Sequence, residues 1–213
     1  MPLQTFYNLP EEKRQKIIDC AIKEFASNDF ESASVSRIVT KVGIAKGSFY
    51  QYFRNKSDLY FFLLEQATQK KAEIMSRSFQ QNSESSLFVS LRQLFTSLSK
   101  FEVLYPELSR IGYRAATGKS PLPEETLIKA RMATQQYFVE MIERGRARGE
   151  VRLNINVNAV AFLLTTALAE LGNYIGIVPD EIGRSEQDIS SESRLFETYK
   201  DILGIIQDGI ANK

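Results

Sequence analysis

The sequence predicts an all-α protein, and three observations carry that reading. Apolar residues recur every three to four positions along most of the chain, the spacing that lines one face of a helix. No stretch alternates apolar and polar residues as a half-buried strand would, and no repeat or low-complexity tract interrupts the pattern. Strong breaks at Gly43, 80–86, 118–123, Gly149 and 183–193 cut the 213 residues into helix-length pieces. That length suits one or two compact domains with a substantial core.

Residues 1–8 show little pattern and are expected to fray. A first helix begins at Pro10, with Glu11 and Glu12 near the positive end of its dipole. Ile18, Cys20, Ala21, Ile22 and Phe25 supply its inward stripe. Cys20, the one cysteine, reads as a small buried thiol and leaves no partner for an intrachain disulfide.

A second helix is capped by Ser34 and places Val35, Ile38, Val39 and Val42 on one face. Gly43 stands where a left-handed residue would end it, and Ile44 plugs the corner. Ala45 then opens a short helix that buries Phe49 and Phe53 and turns Lys46, Gly47, Ser48, Tyr50, Gln51 and Tyr52 to solvent. Asn55 caps the next helix with Asp58 at N3, which puts Lys56 at a helix N-terminus suited to a phosphate. Residues 34–56 hold five basic side chains (Arg37, Lys41, Lys46, Arg54, Lys56) and no acid. The chain as a whole carries a net charge of only +1, from 27 Lys+Arg against 26 Asp+Glu. Two short helices joined through a glycine turn, in an acid-free stretch, describe a helix-turn-helix that faces a polyanion.

From Ser57 a longer helix runs toward Phe79 through Leu59, Phe62, Leu63 and Ala67. Residues 85–105 carry Leu87, Leu91, Leu94, Phe95 and Leu98, and Pro106 starts a short helix that ends near Ala116. A long amphipathic helix over 124–148 turns Leu127, Ile128, Met132, Phe138, Met141 and Ile142 inward. Asn156 caps a run over 157–178 that is apolar on most sides. Its length invites a membrane span, but Glu170 and Asn173 lie inside it and no basic anchors flank it. It reads instead as a helix buried in its own subunit and against another. A last helix presents Leu195, Phe196, Tyr199, Ile202, Leu203 and Ile206.

With no histidine and a single cysteine, the commonest general base and the usual zinc or iron ligand sets are missing. No phosphate-cradling glycine loop is present either. The chain is therefore not read as an enzyme, and no catalytic residue, metal or cofactor is expected. Without a signal-peptide pattern at the N-terminus, a cytoplasmic setting is expected.

The pattern carried by Phe25, Phe30, Ser34, Ile38, Gly43, Ile44, Gly47, Ser48, Tyr50, Tyr52, Phe53 and Lys56 resembles the DNA-binding domain of TetR-family transcriptional regulators. The Tyr-x-Tyr-Phe…Lys tail is its specific part. Asp29 replaces a usual glycine and Val39 a common alanine, and neither touches the DNA-facing set. The resemblance implies a helix-turn-helix DNA-binding domain over 1–56, followed by a helical effector-binding and dimerisation domain over 57–213.

It also implies residue roles. Ser36 and Arg37 match positions that touch phosphate and at times a base edge. Lys46, Gly47 and Ser48 lead the recognition helix, with Lys46 placed to read a guanine and Gly47 letting the backbone come close. Tyr50, Tyr52 and Lys56 match phosphate anchors, while Gln51 faces base or solvent. The last two helices would form half of an intermolecular four-helix bundle, through Val160, Leu164, Ala167, Leu168 and Leu171 and through Leu195, Tyr199, Ile202, Leu203 and Ile206. A pocket for an apolar or aromatic effector would draw on Phe95, Tyr105, Tyr113, Tyr137, Phe138, Phe162 and Tyr174, with Arg114 and Glu170 as polar anchors. The expected protein is a homodimeric repressor on a pseudo-palindromic operator in double-stranded DNA. Effector binding would tilt the helix from Ser57 and release it. The alternative is a DNA-binding protein whose C-terminal region recruits a protein partner without a small molecule.

Overall fold

A computed structural model describes the backbone of residues 1–79, 85–118, 120–177 and 191–212, with side chains described for 1–77, 85–118, 120–170 and 196–212. Among the described residues there are ten helices and no strand. They are α1 (Gln4–Tyr7), α2 (Glu11–Ser27), α3 (Val35–Val42), α4 (Lys46–Tyr52), α5 (Lys56–Phe79), α6 (Leu87–Leu104), α7 (Pro106–Ala116), α8 (Glu124–Ala147), α9 (Val157–Ile177) and α10 (Ser191–Ile210). One isolated antiparallel bridge joins Val151 to Ala211. The all-α expectation holds, with the helices close to where spacing and breaks placed them. No helix among the described residues is long and apolar enough to cross a membrane.

The helices fall into two compact units. The first comprises Met1–Lys71 and Tyr105–Pro123; the second comprises Ala72–Leu104 and Glu124–Lys213. Helix α5 contributes to both. In the first unit α7 packs on α2. Arg114 of α7 donates from Nη1 to the Phe25 carbonyl at 3.1 Å, and its Nε lies 3.5 Å from Asp29 Oδ1. That carbonyl belongs to the last turn of α2, where no intrahelical partner remains for it.

The N-terminal segment departs from its expected fraying. Phe6 is fully buried, with ring centroids at 4.9 Å from Phe53, 5.6 Å from Phe62 and 6.4 Å from Tyr52. The Leu3 N–H donates to the Tyr52 carbonyl at 2.8 Å, and the Thr5 hydroxyl donates to the Gln51 carbonyl. Both carbonyls lie at the C-terminal end of α4, so residues 1–8 act as its cap.

In the second unit the core gathers Leu87, Leu91, Leu94, Phe95, Leu98, Phe138, Met141, Ile142, Ala161, Leu164 and Tyr199. Helix α9 packs on α8 and α10 on α6. Gly145 of α8 permits one close approach, since a Cβ there would lie 2.9 Å from Leu87 Cβ. Ile128 and Met132, expected inward, are 51% and 65% exposed. These two side chains of the apolar stripe of α8 are thus left open to solvent. Cys20 is a half-buried free thiol rather than a buried one.

Candidate nucleic-acid interface

Local capping builds the two helices of the motif. Ser34 is extended, and its Oγ accepts from the Arg37 N–H at 3.4 Å. At the other end Gly43 sits at φ 83°, in the left-handed region, and its N–H reaches the Val39 and Thr40 carbonyls. The Ile44 N–H also returns to Val39, at 3.0 Å, which fixes the corner. Asn55 Oδ1 accepts from the Asp58 N–H at 2.8 Å, and Asp58 Oδ2 from the Arg54 N–H at 3.3 Å. These two bonds define the start of α5.

Helix α4 seats Phe49, 1% exposed, in the core against Phe53 at 5.6 Å between ring centroids. Its outer face leaves Lys46, Gly47, Tyr50 and Gln51 exposed, with Ser48 half-buried. A Cβ built on Gly47 would meet no protein atom within 4 Å, so the gap left by its missing side chain opens outward. On α3, Ser36 is exposed as well.

Three residues of the expected DNA-facing set make contacts within the protein. Tyr52 is buried at 7% exposure, because the docked N-terminal segment brings Phe6 against it. Lys56 is half-buried, and its ammonium donates to the carbonyls of Phe30 (2.6 Å), Glu31 (3.2 Å) and Ala33 (3.1 Å). Arg37 remains half-exposed but is tied inward, with Nε at 2.8 Å and Nη2 at 2.5 Å from Glu24 Oε1.

Glu24 is the residue that sequence reasoning missed. It is 2% exposed and also accepts from the Ser34 N–H at 3.0 Å, while Lys41 Nζ lies 3.9 Å from its other oxygen. Burial alone would raise its carboxyl. The hydrogen bonds from Arg37 and Ser34, with the charges of Arg37 and Lys41, outweigh burial and hold it below the ordinary carboxylate value. A signal was available, since Glu24 lies on the buried stripe of Ile17, Ala21 and Phe25.

The family model described as "Bacterial regulatory proteins, tetR family" matches residues 17–61. A crystal structure of a TetR family transcriptional regulator from Chloroflexus aurantiacus J-10-FL is 32% identical over the whole of both chains, with a TM-score of 0.83. The chain belongs to the TetR family of transcriptional regulators. An HTH-type transcriptional repressor of Mycobacterium tuberculosis is 32% identical over 65 residues, a match that spans 30% of this chain and 35% of that repressor. A Bacillus subtilis regulator, FadR in complex with stearoyl-CoA, shares the fold at a TM-score of 0.65 and 16% identity, over 92% of this chain and 98% of its own. TetR-family regulators are generally non-enzymatic DNA-binding proteins. No cluster of metal-ligating side chains occurs among the described residues.

The residues expected to line an effector pocket in this TetR-family regulator come from both units. In the first unit Tyr105, Tyr113 and Arg114 are half-buried, and Arg114 caps α2. In the second unit Phe95 and Phe138 are core residues, 1% and 0% exposed. Tyr137 and Phe162 are 39% and 58% exposed, and Glu170 is exposed. The side chain of Tyr174 lies outside the described residues. A groove of about 630 Å³ does occur on this unit, between α6 and α10, lined by Phe88, Leu91, Arg92, Leu203 and Ile205 among others.

The expected dimer residues divide likewise. Val160, Leu164 and Tyr199 are buried within the chain's own core, where α9 meets α8 and α10 meets α6. Ala167, Leu168, Ile202, Leu203 and Ile206 are half-buried. The side chains of Leu171 and Leu195 lie outside the described residues. Among the described side chains, the large apolar groups that α9 and α10 do expose are Phe162, Leu163, Phe196 and Ile205.

Proposed function

We propose that this TetR-family protein is a homodimeric, ligand-responsive repressor that reads a pseudo-palindromic DNA operator with α4 in the major groove. The observation that carries the reading is the outer face of α4, where Lys46, Gly47, Tyr50 and Gln51 stand exposed, acid-free, on a helix locked by Phe49 beneath it. Lys46 would read a guanine edge, Gly47 would admit the DNA closely, and Ser36, Ser48 and Tyr50 would meet phosphates. Residues 1–56 would carry DNA reading, and 57–213 effector binding and dimerisation. Two copies are required because one seven-residue helix buries too little surface for tight specific binding. Their recognition helices would sit about 34–36 Å apart, one helical turn of DNA.

The dimer is best assigned to the exposed side chains of α9 and α10, Phe162, Leu163, Phe196 and Ile205, together with the half-buried Ala167, Leu168, Ile202, Leu203 and Ile206. Exposed apolar groups of this size on a monomer mark a contact surface. An apolar effector is supported by the stearoyl-CoA bound to the Bacillus subtilis regulator of the same fold. Release would follow from a ligand that favours a different setting of α5, the helix that contributes to both units. The reading in which the C-terminal part recruits a protein instead is favoured by one observation: Phe95 and Phe138 are packed core.

A fluorescence-anisotropy titration tests the proposal, using a duplex enriched from a random library by the protein itself. Binding should be dimeric and should weaken by about 10³-fold or more between 50 and 200 mM salt, as expected for about six or more phosphate contacts. Long-chain acyl-CoA should then lower duplex affinity with the dimer intact. Salt-insensitive binding would refute DNA reading. Retained affinity at saturating acyl-CoA would refute this effector class.

A further inference from the structure

The turn between α2 and α3 is held by cations. Four consecutive carbonyls, those of Phe30, Glu31, Ser32 and Ala33, each accept from a basic side chain. Lys56 Nζ serves Phe30 at 2.6 Å, Glu31 at 3.2 Å and Ala33 at 3.1 Å. Arg37 Nη2 serves Ser32 at 2.6 Å. The Phe30 ring closes another side of the ammonium, with its centroid 4.4 Å from Nζ.

An ammonium has three N–H donors, and those of Lys56 match these three carbonyls. Turning toward a DNA phosphate would strip three backbone acceptors in a partly buried turn, and one new phosphate bond would do no more than offset that loss. The turn leads directly into Ser34, the cap of α3, and α3 in turn packs against α4.

We propose that Lys56 acts on DNA binding as a positioning residue and not as a phosphate contact: by clamping the 30–33 turn it sets α3, and through α3 the recognition helix. Arg37, anchored on the buried Glu24, completes the clamp at the fourth carbonyl. The inference rests on the DNA-reading role proposed above and reverses the part that the sequence resemblance implied for Lys56. Losing a phosphate anchor weakens all DNA alike, whereas losing a positioning residue blurs discrimination.

The test compares full-length wild type, Lys56→Met and Lys46→Met by anisotropy on the enriched duplex and on a scrambled duplex of equal length. A salt series is run at a temperature where circular dichroism shows every protein folded. Lys56→Met should lose about tenfold in preference for the enriched duplex, the size of one or two lost hydrogen bonds. Its slope of log affinity against log salt should equal that of wild type. Lys46→Met, removing the proposed base reader, should also lose preference, whereas loss of a phosphate-anchoring cation from each copy would flatten that slope by about two units per dimer.

A comparable flattening by Lys56→Met would overturn the proposal, and so would an unchanged preference for the enriched duplex. If Lys56→Met does not fold, the wild type decides through the ¹H–¹⁵N resonance of the Lys56 ammonium. The same shift in free and DNA-bound protein supports the clamp, and a changed shift overturns it. Wild type that prefers no duplex at all would sink the DNA-reading role, a result distinct from either.

Discussion

At Glu24 helical spacing asks for an apolar residue and the chain supplies an acid. The carboxylate is tolerated there because three donors, from Ser34, Arg37 and Asn28, converge on its Oε1 in place of water, and Lys41 Nζ lies 3.9 Å from its Oε2. Glu24→Gln removes the charge from this network and should cost about 1–3 kcal/mol near neutral pH, discounted for the half-exposed Arg37. Because the folded carboxyl titrates below its ordinary value of 4.5, its stabilisation is complete above that value and is lost as pH falls through the folded one. Urea denaturation should therefore show the gap between wild type and Glu24→Gln closing below pH 4.5; a gap unchanged down to strongly acidic pH would contradict the account. Tyr50 and Tyr52 make a second contrast, at 51% and 7% exposure. Tyr50→Ala should leave stability within about 0.5 kcal/mol and weaken DNA binding. Tyr52→Ala should cost about 3–5 kcal/mol of stability, as truncations of buried aromatics do. Thermal melts and anisotropy on the two variants separate those outcomes.

Among the elements, those bounded by local chemistry were legible. Ser34, Gly43 and Asn55 mark helix ends through bonds to groups three or four residues away, so the sequence shows both partners together. The N-terminal segment was not legible, because its partner is distant: the Thr5 hydroxyl finds the Gln51 carbonyl 46 residues on. Nothing in residues 1–8 shows that the end of α4 has carbonyls in need of donors. Phe6→Ala should destabilise the first unit by about 3–5 kcal/mol and loosen α4 with it. Faster amide exchange confined to residues 46–52 would report the loosening, whereas unchanged exchange there would show that α4 holds without its cap. In the second unit Gly145→Ala brings a Cβ against Leu87, a backbone-attached atom that cannot swing aside. Overpacking of about 1–3 kcal/mol should outweigh the roughly 1 kcal/mol that alanine adds in helix propensity, so the variant should melt lower than wild type.

For the whole molecule the decisive surface is the one left apolar. Phe162, Leu163 and Ile205 are 58%, 56% and 73% exposed on the two C-terminal helices. Ile205→Glu, and Phe162→Glu separately, should shift the protein to monomer in sedimentation velocity and abolish tight operator binding, while each subunit keeps its helical signal. A variant that stays dimeric would move the interface elsewhere. Both helices were expected to supply the dimer, yet the residues first assigned to it included Val160, Leu164 and Tyr199, which the subunit uses for its own core. A helix that is apolar on most sides announces that it is buried twice. It does not say which stripe meets which neighbour, since that depends on the crossings with α8 and α6.

By itself the sequence determined the all-α class, the helix-turn-helix with its caps and left-handed glycine, and the acid-free outer face of α4. These follow from periodicity, capping and composition within a few residues. Only the tertiary structure decided that Tyr52 turns inward, that Lys56 and Arg37 hold a turn, that Glu24 anchors them, and which apolar side chains remain outside. Each of those outcomes is a competition for one group between partners far apart along the chain, and spacing carries no information about who is near.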